Sequence, residues 1–192
     1  MIELNEIAKK SGRYGVVWED LLTEIEIQAI HNLAENYEKV KAVTLDEKST
    51  ARKSHAKWIG YDDKTKWLYE KVTNATKSIN DELYQFELTG GQPFQYTIYD
   101  SAEGGEYEWH QDTMAVGDDS IRKISVVILL SDKAEFSGGS FLVAPDGGKP
   151  KEILMKKGRM VVFPSWIPHC VTPVLEGKRI SLVMWLYGKR FK

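Results

Sequence analysis

Two short stretches of the chain carry side chains that together could hold a metal ion. The first, residues 107–112, reads YEWHQD and places His110 two residues before Asp112. In an extended segment, side chains at this spacing point to the same side of the backbone. The chain has four histidines, and we expect His169, which follows an apolar run, to complete the cluster. Two imidazoles and one carboxylate suit Fe(II) and leave coordination positions open.

An arginine follows the second histidine at a spacing of ten residues. Arg179 begins an apolar strand, where an unpaired charge would be very costly. A carboxylate ligand could satisfy its guanidinium through a bidentate pair, and Ser181, on the same side of the strand, could add a hydroxyl donor. A salt bridge to one of the 28 Asp and Glu residues explains Arg179 equally well, so both interpretations stay open.

Aromatic residues near these positions also have two interpretations each. Tyr99 ends the strand before the first stretch, so its phenol could bind the same carboxylate ligand. Tyr96 lies on the opposite face of that strand by parity and is the weaker candidate. Tyr107 and Trp109 flank the first histidine and could line a substrate cleft. Packing in the core is the alternative for all four.

The hydrophobic pattern predicts the elements that position these side chains. Thr23-Glu24-Ile25-Glu26 has the spacing of a capping box, which predicts a helix to about residue 38. A second helix is predicted over about 64–83. A loop with local basic character is predicted at 45–57. We predict strands at 13–18, 40–44, 94–99, 122–131, 139–144, 151–155, 159–163, 169–174 and 179–187.

Many short strands after helices indicate a mainly β sandwich or barrel with supporting helices. Length and composition, with 192 residues, 42% hydrophobic and 28% charged, are typical of one globular domain over 1–192. A net charge of −2 without a long basic tract argues against nucleic acid as the main partner. The single cysteine, the lack of an apolar signal core and the lack of a bilayer-length apolar run predict a cytoplasmic protein with no membrane partner.

Together these residues resemble the Fe(II)- and 2-oxoglutarate-dependent dioxygenases of the prolyl 4-hydroxylase type. The resemblance covers roughly residues 90–187 and implies a double-stranded β-helix, or jelly roll, over about 90–190. Helices over about 20–88 would support its major sheet. The similar segments, which agree in order and spacing, are 107–112, 138–141, 158–164, 169–174 and 177–182.

The resemblance also implies a role for individual residues. His110, Asp112 and His169 correspond by position to the iron ligands. Arg179 corresponds to the residue that binds the distal carboxylate of 2-oxoglutarate, and Tyr99 to a tyrosine that binds the same carboxylate. The implied cofactors are Fe(II), 2-oxoglutarate and O2, with ascorbate as an additional candidate.

The implied reaction is hydroxylation of an unactivated C–H bond with release of succinate and CO2. A prolyl residue of a protein or peptide is the substrate that the family suggests, and a free amino acid or other small molecule is the alternative. Loops at 45–63, 100–107 and 113–121 are predicted to contact the substrate, because loops carry specificity on a rigid scaffold. No residue pattern predicts an oligomeric state.

Three other functions fit parts of the pattern. A halogenase on the same fold would lack the carboxylate ligand, so Asp112 argues against it. Repair of alkylated nucleic acid calls for basic grooves and stacking aromatics, and the modest charge of 45–57 does not favour it. A non-catalytic jelly-roll module that keeps a metal stays open as an alternative to an enzyme.

Overall fold

The computed structural model describes residues 15–42, 50–145 and 148–190, which form two antiparallel sheets and two α-helices. None of the helices in these ranges is long and apolar enough to cross a membrane. The strands, numbered in chain order, are β1 Val16–Trp18, β2 Val40–Lys41, β3 Arg52–Lys53, β4 His55–Ile59, β5 Gly90–Gly91, β6 Phe94–Asp100, β7 Glu106–His110, β8 Ala115–Val116, β9 Ser120–Leu129, β10 Phe136–Gly138, β11 Phe141–Val143, β12 Lys151–Ile153, β13 Met160–Pro164, β14 His169–Val171 and β15 Val174–Lys189.

The helices are α1, Glu24–Glu35, and α2, Lys66–Ile79. The predicted capping box is present, because the backbone N–H of Thr23 donates to the Glu26 carboxylate at 2.8 Å and the Glu26 N–H donates to the Thr23 hydroxyl at 3.3 Å. Helix α2 continues into a π-helical turn over Asn80–Tyr84. The helical path therefore ends close to the predicted residue 83.

The two sheets form the predicted jelly roll. The larger sheet has the strand order β1-β13-β9-β15-β6-β4-β2, and the smaller sheet has the order β12-β11-β14-β7-β3. Neighbouring strands in both sheets are antiparallel. The short strands β5, β8 and β10 attach to β15 or β9 outside these orders.

Alternation along β9 separates two apolar cores. Ile124, Val126 and Ile128 belong to the core that the larger sheet forms with the helices. Val127 and Leu129 point the opposite way, into the second core between the two sheets. Because the strands are buried on both faces, they appear in the sequence as apolar runs. The side chains of the site lie on the face between the two sheets.

The prediction of a loop over 45–57 is wrong where the structure can be compared. Residues 52–53 form β3, which pairs with β7, and residues 55–59 form β4, which pairs with β6. The sequence did not indicate these strands, because basic side chains made the segment resemble an exposed loop. In a strand, the long stems of such side chains can cover apolar surface while the charge stays in water. Residues 45–49 lie outside the described residues.

Other boundaries shift for similar reasons. Strand β15 begins at Val174, five residues before the predicted start at 179, and the predicted strand 169–174 ends at Val171. Strands β5, β7, β8 and β10 were not predicted. Parts of the predicted strands 13–18 and 40–44, namely residues 13–14 and 43–44, lie outside the described residues. The predicted substrate loops 45–63, 100–107 and 113–121 therefore include residues of β3, β4, β7, β8 and β9.

Candidate metal and cosubstrate site

A cavity of about 570 Å³ opens between the two sheets. Side chains of both sheets line it, including the predicted metal cluster and Arg179. A cavity of this size matches the range usual for small-molecule and cofactor sites.

The structure brings His110, Asp112 and His169 together at this cavity. His110 ends β7 and His169 begins β14, and the two residues are direct partners across that antiparallel pair. Asp112 Oδ1 lies 3.7 Å from His110 Nε2, and Asp112 Oδ2 lies 3.4 Å from His169 Nε2. One potential ligand atom from each residue lies within 4.8 Å of the others. One cation could therefore contact all three.

Asp112 reaches the cluster by a route that strand parity did not anticipate. Strand β7 ends at His110, so the two residues do not share an extended segment. Instead the backbone N–H of Asp112 donates to the carbonyl of Ser165 at 2.8 Å. The carboxylate is then held by the Ser125 hydroxyl, which donates to Oδ2 at 2.7 Å and lies 3.0 Å from the Ser165 hydroxyl.

Both histidines present the correct nitrogen for a metal. His110 Nδ1 lies 2.8 Å from the Glu108 carbonyl, and His169 Nδ1 lies 2.9 Å from the Ile167 carbonyl. Because a carbonyl only accepts, each Nδ1 must carry the hydrogen in the neutral ring, which leaves the Nε2 lone pair free. Such hydrogen bonds fix the tautomer and the ring orientation of metal-binding histidines.

The electrostatics of the cluster keep both ligand types in their metal-binding forms. Burial, reinforced by the nearby His169, lowers the pKa of His110 to about 4, so this ring is neutral at neutral pH. Burial disfavours the charge of Asp112, but the two imidazoles outweigh it and hold the pKa of Asp112 far below its usual range. The site therefore combines a neutral imidazole and a carboxylate before any cation is considered.

A β-bulge places a third ring against the cluster. Across the β7–β14 pair, His169 faces His110 and Val171 faces Tyr107, so β7 holds one residue more than β14 between these positions. The extra residue turns Tyr107 to the same side as His110, and the two rings stack at 3.4 Å between centroids and 14° between planes. Trp109 is displaced from the cavity and is 46% exposed.

Arg179 is a buried cation without a charged partner among the described residues. It is 1% exposed, its Nη1 donates to the Ser181 hydroxyl at 3.3 Å, and its Nε and Nη2 make no hydrogen bond there. Its strand neighbour is Tyr99, whose ring centroid lies 5.6 Å from the guanidinium carbon. Burial lowers the pKa of Arg179, but an arginine in a protein stays protonated. The salt-bridge interpretation therefore fails within the described residues.

A glycine makes room for this guanidinium. Gly139 has a φ of +60°, and a Cβ built there would lie 2.9 Å from Arg179 Cδ. Both the left-handed backbone and the close approach favour glycine. This accounts physically for the second glycine of the predicted segment 138–141.

Comparison with known proteins identifies the family. The sequence model of the 2OG-Fe(II) oxygenase superfamily matches residues 94–187, which include every residue of the cluster and Arg179. Residues 94–187 belong to this superfamily.

Relatives and solved structures agree with the superfamily. A PKHD-type hydroxylase of Synechococcus sp. (strain CC9605) is 37% identical over 86 residues, which cover 45% of this chain and 38% of that protein. One of Shewanella baltica (strain OS155 / ATCC BAA-1091) is 32% identical over 105 residues, covering 52% and 46%. The match spans less than half the length of these curated relatives.

The fold is also that of solved structures. A Pseudomonas putida prolyl-4-hydroxylase has a TM-score of 0.74 at 21% identity, over 98% of this chain and 100% of that one. A Trichoplax adhaerens prolyl hydroxylase, in complex with a peptide of the hypoxia inducible factor oxygen degradation domain, has a TM-score of 0.77 at 21% identity, over 95% and 88%. At this identity the likeness shows the jelly-roll fold alone.

The superfamily uses Fe(II), 2-oxoglutarate and O2. The structure shows which of the predicted site residues lie at the cavity. His110, Asp112, His169, Arg179, Ser181, Tyr99 and Tyr107 line one cavity. Tyr96 points to the helices instead, where its hydroxyl lies 2.8 Å from His31 Nδ1. Trp109 does not line the cavity. That these residues bind iron, cosubstrate and substrate stays a prediction.

Three residues at or behind the cavity wall were missed as site residues. Ser125 lies inside an apolar run, and Arg122 stands at the start of the same strand. Arg52 was noted only as part of a basic loop. A signal was present for Arg122, since it precedes the apolar run of a largely buried strand. None marked Arg52, because the other residue of its short strand is the exposed Lys53.

Proposed function

We propose that this chain is an Fe(II)- and 2-oxoglutarate-dependent dioxygenase that hydroxylates an unactivated C–H bond of a prolyl residue in a protein or peptide. The observation that carries the proposal is that the His110–Asp112–His169 cluster shares one cavity with Arg179, which has no charged partner among the described residues. The superfamily match supports the reaction class. The names of the solved neighbours, one of them in complex with a peptide, support the substrate class.

The chain's own groups fit the metal that the superfamily uses. Nε2 of His110, Nε2 of His169 and a carboxylate oxygen of Asp112 would hold Fe(II), and three protein ligands would not fill its coordination sphere. When bound, the metal together with the cosubstrate and O2 supplies the oxidising power, with succinate and CO2 as expected products. The protein contributes orientation and the exclusion of water.

Arg179 would fix the cosubstrate. Its Nε and Nη2, which no described residue accepts from, can donate to one carboxylate as a fork, which is the bidentate geometry that arginine forms best. The Ser181 hydroxyl, already 3.3 Å from Nη1, and the adjacent Tyr99 phenol complete that end of the cavity. Ascorbate as a further cofactor, a cytoplasmic location and a single domain over 1–192 stay predictions.

Iron content and cosubstrate turnover test the proposal together. We expect one Fe(II) per chain and slow conversion of 2-oxoglutarate to succinate without substrate, both lost in His169→Ala. His31→Ala is the matched control, because His31 pairs with Tyr96 away from the cavity, so its iron content should equal that of the parent. Parental iron content in His169→Ala would refute the ligand assignment. Iron binding without any succinate would favour the non-catalytic module.

A further inference from the structure

A single turn contacts two residues of the metal cluster through its backbone. Residues 165–168, called here the 165–168 turn, join β13 to β14. The carbonyl of Ser165 accepts the backbone N–H of Asp112 at 2.8 Å, and the carbonyl of Ile167 accepts the Nδ1 hydrogen of His169 at 2.9 Å. The position of this turn therefore affects two of the three proposed ligands at once.

The carbonyl between these two also accepts a hydrogen bond, and its donor is a side chain. The carbonyl of Trp166 accepts from Nε2 of Gln111, 55 positions away in the sequence, at 2.6 Å. Three consecutive carbonyls of the turn therefore bind the segments around the cluster. A backbone N–H is available in every residue except proline, and the imidazole contact belongs to a proposed ligand. The Gln111 contact, in contrast, depends on a side chain outside the cluster.

Aromatic packing fixes the turn independently of this contact. The ring of Trp166 meets the ring of Phe86 edge to face, at 5.5 Å between centroids and 70° between planes. The ring of Phe86 stacks in turn on that of Tyr84, at 5.6 Å and 4°. The Tyr84 hydroxyl donates to the carbonyl of Val162, a residue of β13, at 3.2 Å. The Trp166 carbonyl is therefore a fixed acceptor, to which Gln111 can anchor its own segment.

The segment that carries Gln111 lacks the support of a sheet. Strand β7 ends at His110, and residues 111–114 belong to no strand. The carboxylate of Asp112 nevertheless lies at 3.7 Å and 3.4 Å from the Nε2 atoms of the two histidines, which stand on β7 and β14. A metal site requires its ligands to be held within about 0.5 Å of their working positions. A hydrogen bond one residue before the carboxylate would restrict its displacement.

Folding stability does not account for the contact. The side chain of Gln111 is exposed, so it removes little apolar surface from water. Water competes for both partners of an exposed hydrogen bond, so its net contribution to folding is small. Fixing a glutamine side chain also costs conformational entropy. The contact therefore adds little to the stability of the whole chain, but it still determines where the next residue, Asp112, lies.

We propose that Gln111 is a positioning residue of the metal site, whose side-chain amide ties the segment of Asp112 to the 165–168 turn. The inference rests on the proposed function and adds to it a residue that acts through Asp112 rather than through a contact of its own with the metal. Because the hydrogen bond joins the segments that carry Asp112 and His169, its loss lets these two ligands separate. The metal should then bind more weakly and leave faster.

Two neutral substitutions that differ in size test the inference by metal binding. Gln111→Met keeps the length of the side chain and Gln111→Ala removes it, and neither can donate to the Trp166 carbonyl. Mn(II) affinity is measured by competition with a chelator, and Mn(II) release by rapid mixing with excess chelator. Gln111 also lines the cavity, so both measurements omit cosubstrate and substrate. We expect the affinity to fall by about twofold to tenfold in both variants, with a matching rise in the release rate.

Two further measurements separate positioning from a general loss of stability. The electron paramagnetic resonance spectrum of bound Mn(II) depends on the arrangement of its ligands, so its zero-field splitting should differ from that of the parent in both variants. The midpoint of urea denaturation of the metal-free protein should equal that of the parent. Gln28→Met is the matched control, because the exposed Gln28 also donates from Nε2, to Asn32 at 3.0 Å on α1. This control should keep the parental affinity and spectrum.

The outcomes separate this inference from the proposed function. Parental Mn(II) affinity in either Gln111 variant, or a parental spectrum in both, overturns the inference. A urea midpoint below that of Gln28→Met also overturns it, because the weaker metal binding would then follow from lost stability. Binding of Mn(II) and 2-oxoglutarate by the parent is measured alongside. If the parent binds both and the Gln111 variants match it, the inference alone fails, whereas a parent that binds neither overturns the proposed function and the inference with it.

Discussion

Replacing Arg179 by methionine should weaken 2-oxoglutarate binding and, at the same time, stabilise the ligand-free protein. The opposite signs follow from the same observation, which is that two of the three guanidinium nitrogens are buried without a hydrogen-bond partner among the described residues. Methionine keeps much of the side-chain volume and adds no polar group, so the change tests the charge rather than the packing.

The magnitudes can be worked from the contacts. An unsatisfied buried donor costs about 1–3 kcal/mol, and the single bond to Ser181 at 3.3 Å contributes about 1 kcal/mol. Two such donors cost about 2–6 kcal/mol together, so after the lost bond is subtracted the free energy of unfolding of the ligand-free protein should rise by about 1–5 kcal/mol. Loss of one partner of a buried charged pair costs about 2–5 kcal/mol. The affinity for 2-oxoglutarate should accordingly fall by tens-fold to thousands-fold, at about tenfold per 1.4 kcal/mol.

Two assays and one control variant check that the affinity for 2-oxoglutarate falls while the free energy of unfolding rises. Calorimetric titration of 2-oxoglutarate into anaerobic, Mn(II)-loaded protein gives the affinity, and urea denaturation without ligand gives the free energy of unfolding. Arg159→Met is the control, because Arg159 is also buried but its guanidinium lies 2.6 Å from the Glu19 carboxylate. This control should lose stability and keep the parental affinity. Unchanged affinity in Arg179→Met, or a loss of stability as large as that of Arg159→Met, would refute the reasoning.

Three further predictions concern the groups that support the site. Gly139→Ala should weaken 2-oxoglutarate binding in calorimetry, because its Cβ would displace the nearby guanidinium, whereas Gly117→Ala, with a φ of +61° and open space around it, should not. Ser125→Ala should lower the affinity for Mn(II) in a chelator competition by about tenfold to hundredfold, since it removes the hydroxyl that orients the cluster's carboxylate. Ser131→Ala should match the parent in this assay, because its hydroxyl bonds to the backbone of Lys178 and Ile180 and not to a residue of the cluster. Thr23→Ala should lower the free energy of unfolding by about 0.5–2 kcal/mol in urea denaturation and leave cosubstrate affinity unchanged, because it removes only the cap of α1.

The parts of the site that the sequence predicted are those for which chemistry restricts the residue type. A metal cluster needs histidine and carboxylate side chains, and the chain has only four histidines. The capping box and the apolar periods of α1 and α2 were equally visible, since they depend on residues three or four positions apart. The bulge in β7 was not visible, because an extra residue is defined only by the register with β14.

The cavity arginines show most clearly what a sequence leaves undetermined. Arg159 and Arg179 are both buried arginines that stand beside apolar residues in the sequence. The structure separates them, because Glu19, 140 positions away in the sequence, reaches Arg159, whereas no described carboxylate reaches Arg179. Arg52 and Arg122 also differ from Arg159, because they donate to the side-chain amide oxygens of Gln95 and Gln92, which are brought in from other parts of the chain.

A buried cation that the fold leaves uncompensated lowers the stability of the ligand-free protein, and its cost is recovered only when an anion binds. Among the described residues Arg179 carries this cost, because no carboxylate pairs with it and its Nε and Nη2 have no acceptor. The cost could be found only by following the guanidinium to its partners, and it ties the stability of the ligand-free protein to the proposed binding of the cosubstrate.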